Sequence, residues 1–146
     1  MSSKKFHKIR AFFDTNVLIS SFLTDGLSKE LIIRAKRGEF TALVCPFILR
    51  EFKENLKKKF QIKPLYTKEA LELINSACTL VLQEDFKVPE KIYLRDQSDI
   101  NVLLCALSGD ADFLVTGDKV LLEIKTFQEI EIITPRDFII FLEELS

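Results

Sequence analysis

The sequence predicts an α/β fold of three layers, with a parallel sheet covered by helices on both faces. Three observations carry this. Residues 41–45, 113–116 and 130–133 are short apolar segments of the kind that form strands buried on both sides. They alternate with stretches whose apolar residues recur at helical spacing. The first strand candidate, Ile9-Arg10-Ala11-Phe12-Phe13, runs straight into Asp14-Thr15-Asn16 and a helical pattern, so a strand feeds a helix with a carboxylate at the junction.

Taken in order, residues 1–7 are expected to be a loose tail, 8–14 the first strand and 15–23 the first helix, with Val17, Leu18 and Phe22 toward the core. Thr24-Asp25-Gly26 breaks that helix. Ser28 is read as the N-cap of a helix over 29–37, whose Leu31, Ile32 and Ala35 share a face and which Gly38 ends in the left-handed conformation. Residues 41–45 form the second strand. Pro46 then opens a helix to about residue 60, with Ile48, Phe52 and Leu56 on one side. Pro64 is read as closing that segment and Thr67 as opening another helix, with Leu71, Ile74 and Cys78 on its buried face. A third strand over 79–83 and a loop over 84–94 follow. Residues 95–99 lead into 100–108, which is apolar nearly all round and therefore a central buried helix, closed by Gly109. The fourth strand, 113–116, turns out through Gly117-Asp118 into a short helix over 119–124, and 130–133 is the fifth strand. Thr134, Pro135 and Asp137 resemble a capping box for a last helix to residue 145 that buries Phe138, Phe141 and Leu142.

A chain of 146 residues without a Pro/Gly-rich linker is read as one domain over 1–146. With 47% hydrophobic and 29% charged residues, the composition is globular. Thirteen Phe and no Trp point to a core of Phe and aliphatic side chains. Lys and Arg number 21 against 22 Asp and Glu, so any contact with a polyanion must come from a local basic patch. Cys45, Cys78 and Cys105 are far apart and His7 is the sole histidine, which excludes a structural zinc site. The thiols are read as buried and reduced, in keeping with a cytoplasmic protein. The longest apolar run, residues 102–107, is too short for a membrane span, and no signal peptide is expected.

In a parallel α/β sheet, ligands bind at the carboxyl ends of the strands, and the following helices start at that same edge. Asp14 ends the first strand, Glu51 lies in the second turn after the second, Asp96 and Asp99 open the buried helix after the third, and Asp118 follows the fourth. Carboxylates gathered at one edge repel, and a divalent cation removes that cost. A site of oxygen ligands without His or Cys suits Mg²⁺, or Mn²⁺. Asp96 and Asp99 share a helix face at the positive end of the helix dipole, and Asn16 and Thr116 are placed to orient the acids through hydrogen bonds. A bland account stands beside this one. Asp at a helix start is usually a cap, Asp96 is equally well a cap or loop anchor, and Asp25, Asp110 and Asp112 belong to turns.

These segments resemble the PIN-domain ribonucleases. The likeness rests on Phe12-Phe13-Asp14-Thr15-Asn16-Val17-Leu18, Leu49-Arg50-Glu51-Phe52, Asp96-Gln97-Ser98-Asp99 running into 102–107, and Ala111-Asp112-Phe113-Leu114-Val115-Thr116-Gly117-Asp118. It implies a five-stranded parallel sheet of order 3-2-1-4-5 and metal-dependent hydrolysis of RNA with one or two Mg²⁺ or Mn²⁺ ions. Asp14, Glu51, Asp99 and Asp118 become the catalytic acids, with Asp14, Asp99 and Asp118 on the metal and Asp96, Asn16 and Thr116 as accessories. Within the family the chain is most similar to the toxin halves of prokaryotic toxin–antitoxin pairs, which implies a homodimer and a small antitoxin partner. The resemblance departs at Val120, where such relatives often carry a second acid. That weakens a second metal site and keeps open a non-catalytic module that binds RNA or protein. Arg50, Lys53, Lys57 and Arg95 are candidates for the RNA backbone, although lysines on a helix are as readily a solvated face. Two rival Asp-bearing α/β chemistries lack support. A haloacid-dehalogenase-like phosphotransferase would want a second Asp where Asn16 stands, and a phosphoacceptor receiver would want an acid where Phe13 stands.

Overall fold

At the middle of the sheet lies β1 (Arg10–Phe13), whose Ala11, Phe12 and Phe13 are fully buried. Three consecutive buried residues need cover on both faces of the strand. The computed structural model describes residues 7–83 and 94–145. The tail expected over 1–7 and the loop expected over 84–94 lie outside them, apart from His7 and Leu94. β2 (Thr41–Val44) and β4 (Phe113–Val115) pair with β1 in parallel on either side, with Phe12 opposite Leu43 and Leu114. Beyond β2 comes β3 (Cys78–Leu80), and beyond β4 comes β6 (Ile130–Ile133), both parallel. The five expected strands therefore keep the expected order.

A sixth strand corrects the count. β5 (Thr126–Phe127) runs antiparallel to β6, giving the order β3-β2-β1-β4-β6-β5. The turn between them holds Gln128 and Glu129, at φ 49° and 68°. Two-residue turns of this kind usually use Asn or Gly, so the sequence carries no hairpin signal there.

The helices are α1 (Thr15–Leu23), α2 (Leu27–Lys36), α3 (Pro46–Lys58), α4 (Pro64–Ala77), α5 (Gln97–Ser108), α6 (Lys119–Ile124) and α7 (Pro135–Leu145). From β1 through β2 to β3 the chain steps one way across the sheet, and from β3 to β4 and β6 it steps the other. Right-handed crossovers then place α1 to α4 on one face and α5 and α6 on the other. In agreement, α1 touches α2 and α3, and α2 touches α4 and α7, while α5 and α6 meet β4 and β6. The Phe rings form a continuous row within the core. Phe13 meets Phe40, Phe40 meets Phe138 edge-on at 4.9 Å, and Phe113 lies against Phe138 and Phe141. Each fully buried ring contributes about 1.5–3 kcal/mol. Among the described residues no helix is long and apolar enough to cross a membrane.

Several boundaries differ from expectation for local reasons. Gly26, not Ser28, is the N-cap of α2, and Ser28 is buried in the first turn. The Thr24 hydroxyl donates to the Ser20 carbonyl and accepts from the Gly26 amide, which closes the break at once. Pro64 opens α4 rather than ending the preceding segment, as its fixed φ and missing N–H allow at a first helical position. That leaves Thr67 a turn inside the helix. Cys78 caps the end of α4 and starts β3, so it packs partly buried against the core from just beyond the helix. β3 is an edge strand, as the expected order has it, and its Leu80 is exposed. Its last ladder bond is the Val81 amide on the Val44 carbonyl. α5 starts at Gln97, ahead of its apolar run, because Asp96 caps it. His7 is held by the Asp112 carboxylate at 2.9 Å, so this end of the expected tail is anchored. Asp112, read as a turn residue, is buried and also accepts the Arg10 amide at 2.9 Å.

Candidate metal centre

The stepping direction reverses between β1 and β4, and the carboxyl ends of these two strands form the crevice where α/β sheets bind ligands. Asp14 leaves β1 at that point. Its amide donates to the Val115 carbonyl at 3.1 Å, tying it to the end of β4. Its carboxylate caps α1, with Oδ1 accepting the Thr15 amide at 2.8 Å. Oδ2 accepts the Thr116 hydroxyl at 2.7 Å. Burial pushes the Asp14 carboxyl above its ordinary range, the bonds from Thr116 and Thr15 oppose this, and the charges of Asp118 and Glu51 add to it.

Thr116 is fully buried and works in two directions. Its hydroxyl donates to Asp14 and accepts the Asp118 amide at 3.0 Å. One side chain thus sets the spacing of two acids. Asp118 caps α6, accepting the Val120 amide at 2.8 Å.

Glu51 arrives from the other side. Pro46 starts α3 directly after β2, and the buried Ile48, Phe52 and Leu56 fix the rotation of the helix against the core. Glu51 Oε1 accepts the Thr15 hydroxyl at 2.8 Å, and Oε2 accepts the Ser98 hydroxyl at 3.1 Å. The carboxylate therefore bridges the first turns of α1 and α5. Asp96 is exposed and caps α5 through the Ser98 amide at 2.9 Å. Asp99, in the first turn of α5, is pushed up to about 6 by burial first, then by the charges of Asp118, Asp96 and Asp14 and by hydrogen bonding with Asp118.

Asp14, Glu51, Asp99 and Asp118 thus gather at one edge, close enough to feel one another's charge. No lysine, arginine or histidine among the described residues pairs with any of them. Even so, among the described residues no three His, Cys, Asp or Glu side chains converge tightly enough to grip one ion by themselves. The two findings agree for a small hard cation. Mg²⁺ keeps several of its waters and is typically held through one or two carboxylates, so a spread, all-oxygen acid set fits it.

The remaining expected residues divide. Asn16 is exposed and stands outside the hydrogen bonds that the described residues make at the crevice, because position 16 turns away once α1 begins. Thr15 holds Glu51 in its place. Thr15 and Ser98 are the functional residues that sequence reasoning passed over. The signal for them was a hydroxyl beside an acid in the first turn of a helix. Arg50, Lys53, Lys57 and Arg95 are all exposed, and none forms an ion pair among the described residues.

A family model described as PIN domain matches residues 10–120, which spans Asp14, Glu51, Asp96, Asp99 and Asp118. Among solved structures, the chain is similar to VapBC2 from Rickettsia felis, crystallised bound to a DNA fragment from its promoter. The TM-score is 0.59 at 16% identity, over 85% of this chain and 97% of that one. It is also similar to PAE2754 from Pyrobaculum aerophilum, with a TM-score of 0.64 at 14% identity, over 93% of this chain and 90% of that one. At these identities the likeness speaks for the fold. No curated protein matches the chain.

Proposed function

The chain belongs to the PIN-domain family, and from that premise we propose that it is a Mg²⁺- or Mn²⁺-dependent ribonuclease that hydrolyses phosphodiester bonds of RNA. The observation that carries this reading is the gathering of Asp14, Glu51, Asp99 and Asp118 at the β1/β4 crevice with no basic partner among the described residues. Asp14, Asp99 and Asp118 would hold the cation between them, in part through waters it keeps, since no three of these side chains converge on one point among the described residues. When bound, it polarises the phosphoryl oxygen, lowers the pKa of a bound water and steadies the leaving oxygen. Thr116 keeps Asp14 and Asp118 in register, and Thr15 and Ser98 aim Glu51. Asp99 or Glu51 orients the attacking water or takes its proton. Arg50 and Arg95, exposed beside the acids, contact the RNA backbone.

The likeness in fold to VapBC2 supports a further step, that this chain is the toxin of a toxin–antitoxin pair, acting as a cytoplasmic homodimer restrained by a small antitoxin. A second reading is a PIN-fold module that binds RNA or protein without turnover. It draws on Val120, an exposed apolar residue two positions after Asp118, and on the spread of the acids. Incubation with single-stranded RNA decides between them. Cleavage that requires Mn²⁺, stops with chelator and is lost in a folded Asp99→Asn variant supports the nuclease. Binding without cleavage supports the module, and cleavage by Asp99→Asn at the parent rate removes Asp99 from the site.

A further inference from the structure

Away from the acids, α3 and α4 enclose a cavity of about 330 Å³ lined by Lys53, Lys57 and Lys68 with Ile62, Thr67 and Leu71. Lys53 and Lys57 are four residues apart on α3 and so share a face, and Lys68 closes the ring from α4. None of the three forms an ion pair among the described residues. Thr67 is 6% exposed, and its hydroxyl has no hydrogen-bond partner among the described residues. A buried hydroxyl left unpaired costs about 1–3 kcal/mol, and this one is shielded from the cleft as well as from solvent. The apolar part of the lining and the charged part together suit a ligand with an apolar body and a negative charge. A volume near the lower limit for small-molecule sites, ~300 Å³, suits one monomer unit rather than a helix or strand of a protein partner.

We infer that this cleft is a nucleotide subsite for the RNA strand. A base lies against Ile62 and Leu71, and its phosphates meet Lys53, Lys57 and Lys68. The inference rests on the RNA-directed part of the proposed function and adds a place where the strand is held apart from the scissile bond. α3 links the two sites. Lys57 lies about 9 Å along the helix axis from Glu51, at ~1.5 Å per residue.

The test is fluorescence anisotropy of a short labelled single-stranded oligoribonucleotide with the full chain in chelator, where nothing is cleaved. In the combined variant Lys53→Ala, Lys57→Ala and Lys68→Ala, binding falls at least about tenfold at low salt, and the log–log salt slope becomes shallower by ~0.7 for each phosphate no longer neutralised. Unchanged affinity and salt slope in a folded triple variant overturns the inference and leaves the nuclease reading intact if that variant still cleaves with Mn²⁺. Binding of polyglutamate, but not RNA, through these lysines overturns it in favour of a protein ligand. If the parent binds the oligoribonucleotide through these lysines yet never cleaves, the subsite stands and the nuclease reading falls.

Discussion

Glu51 and Lys57 stand on one helix and belong to two regions of opposite charge. At ~100° per residue they lie about 120° apart around α3. The acidic region is drawn inward. Asp14 is buried, and the oxygens of Asp14 and Glu51 are held by hydroxyls and amides. The basic region is exposed, and its charges sit on long flexible stems around an apolar cavity. Neither has its counter-charge among the described residues, but only the acidic region is penalised for it, since burial pushes the Asp14 and Asp99 carboxyls up. The difference is in preorganisation. Fixed carboxylates suit a small cation with strict geometry, whereas mobile lysines suit a polyanion whose shape varies.

The largest effect that tests this contrast comes from Asp14→Asn. It should reduce RNA cleavage by more than the ~100-fold upper end typical of residues that merely support a metal ligand. Oligoribonucleotide binding in chelator should survive, and if both fall together the two regions are not separate. Mn²⁺ at about 100 times its dissociation constant should stabilise the parent by ~2.7 kcal/mol in thermal melts and do nothing for Asp14→Asn. Thr116→Val removes the hydroxyl shared by Asp14 and Asp118 and should cost roughly 10- to 100-fold in metal affinity or cleavage.

Smaller effects sharpen the electrostatic side. In chelator at neutral pH, Asp99→Asn should stabilise the fold by about 1 kcal/mol, allowing for solvent screening of a half-exposed group. The folded chain holds the Asp99 proton up to about 6 and the unfolded chain only to about 3.8, so this penalty is absent below 3.8 and full above 6. The gain of the variant should therefore vanish in acid, as urea titrations across pH would reveal. A gain that persists there means that charge is not its cause. Ser98→Ala removes one of the two bonds on Glu51 and should cost about 0.5–1.5 kcal/mol in whichever step uses that carboxylate.

Much of this was legible in the sequence because parallel α/β architecture converts strand order into position. Once the segments ending at Asp14 and before Asp118 are read as neighbouring parallel strands, their acids must share an edge. The following helices then bring Glu51 and Asp99 to the same place. What was not legible depended on rotation and on rare backbone conformations. Asn16 and Thr15 are adjacent, and only the setting of α1 on the core decides that Thr15 meets Glu51 while Asn16 faces water. Pro64 is compatible with both ending and starting a helix. Gln128 and Glu129 adopt a turn that their side chains do not advertise. The cavity between α3 and α4 requires two helices to be seen side by side, so Lys68 and Thr67 could not have been joined to Lys53 and Lys57 beforehand.

That unadvertised turn has a consequence of its own. Without β5, β6 would end the sheet with a row of bare amides and carbonyls, an open template for a strand from another molecule. The β5–β6 pairs at Thr126 and Glu131 and at Phe127 and Ile130, together with the Ile132 amide on the Lys125 carbonyl, occupy those groups. β5 is only two residues long, too short to serve as a template in turn. The hairpin is thus a guard against edge-to-edge aggregation on that margin, and copies that associate in solution have to meet through helices or through the opposite margin of the sheet.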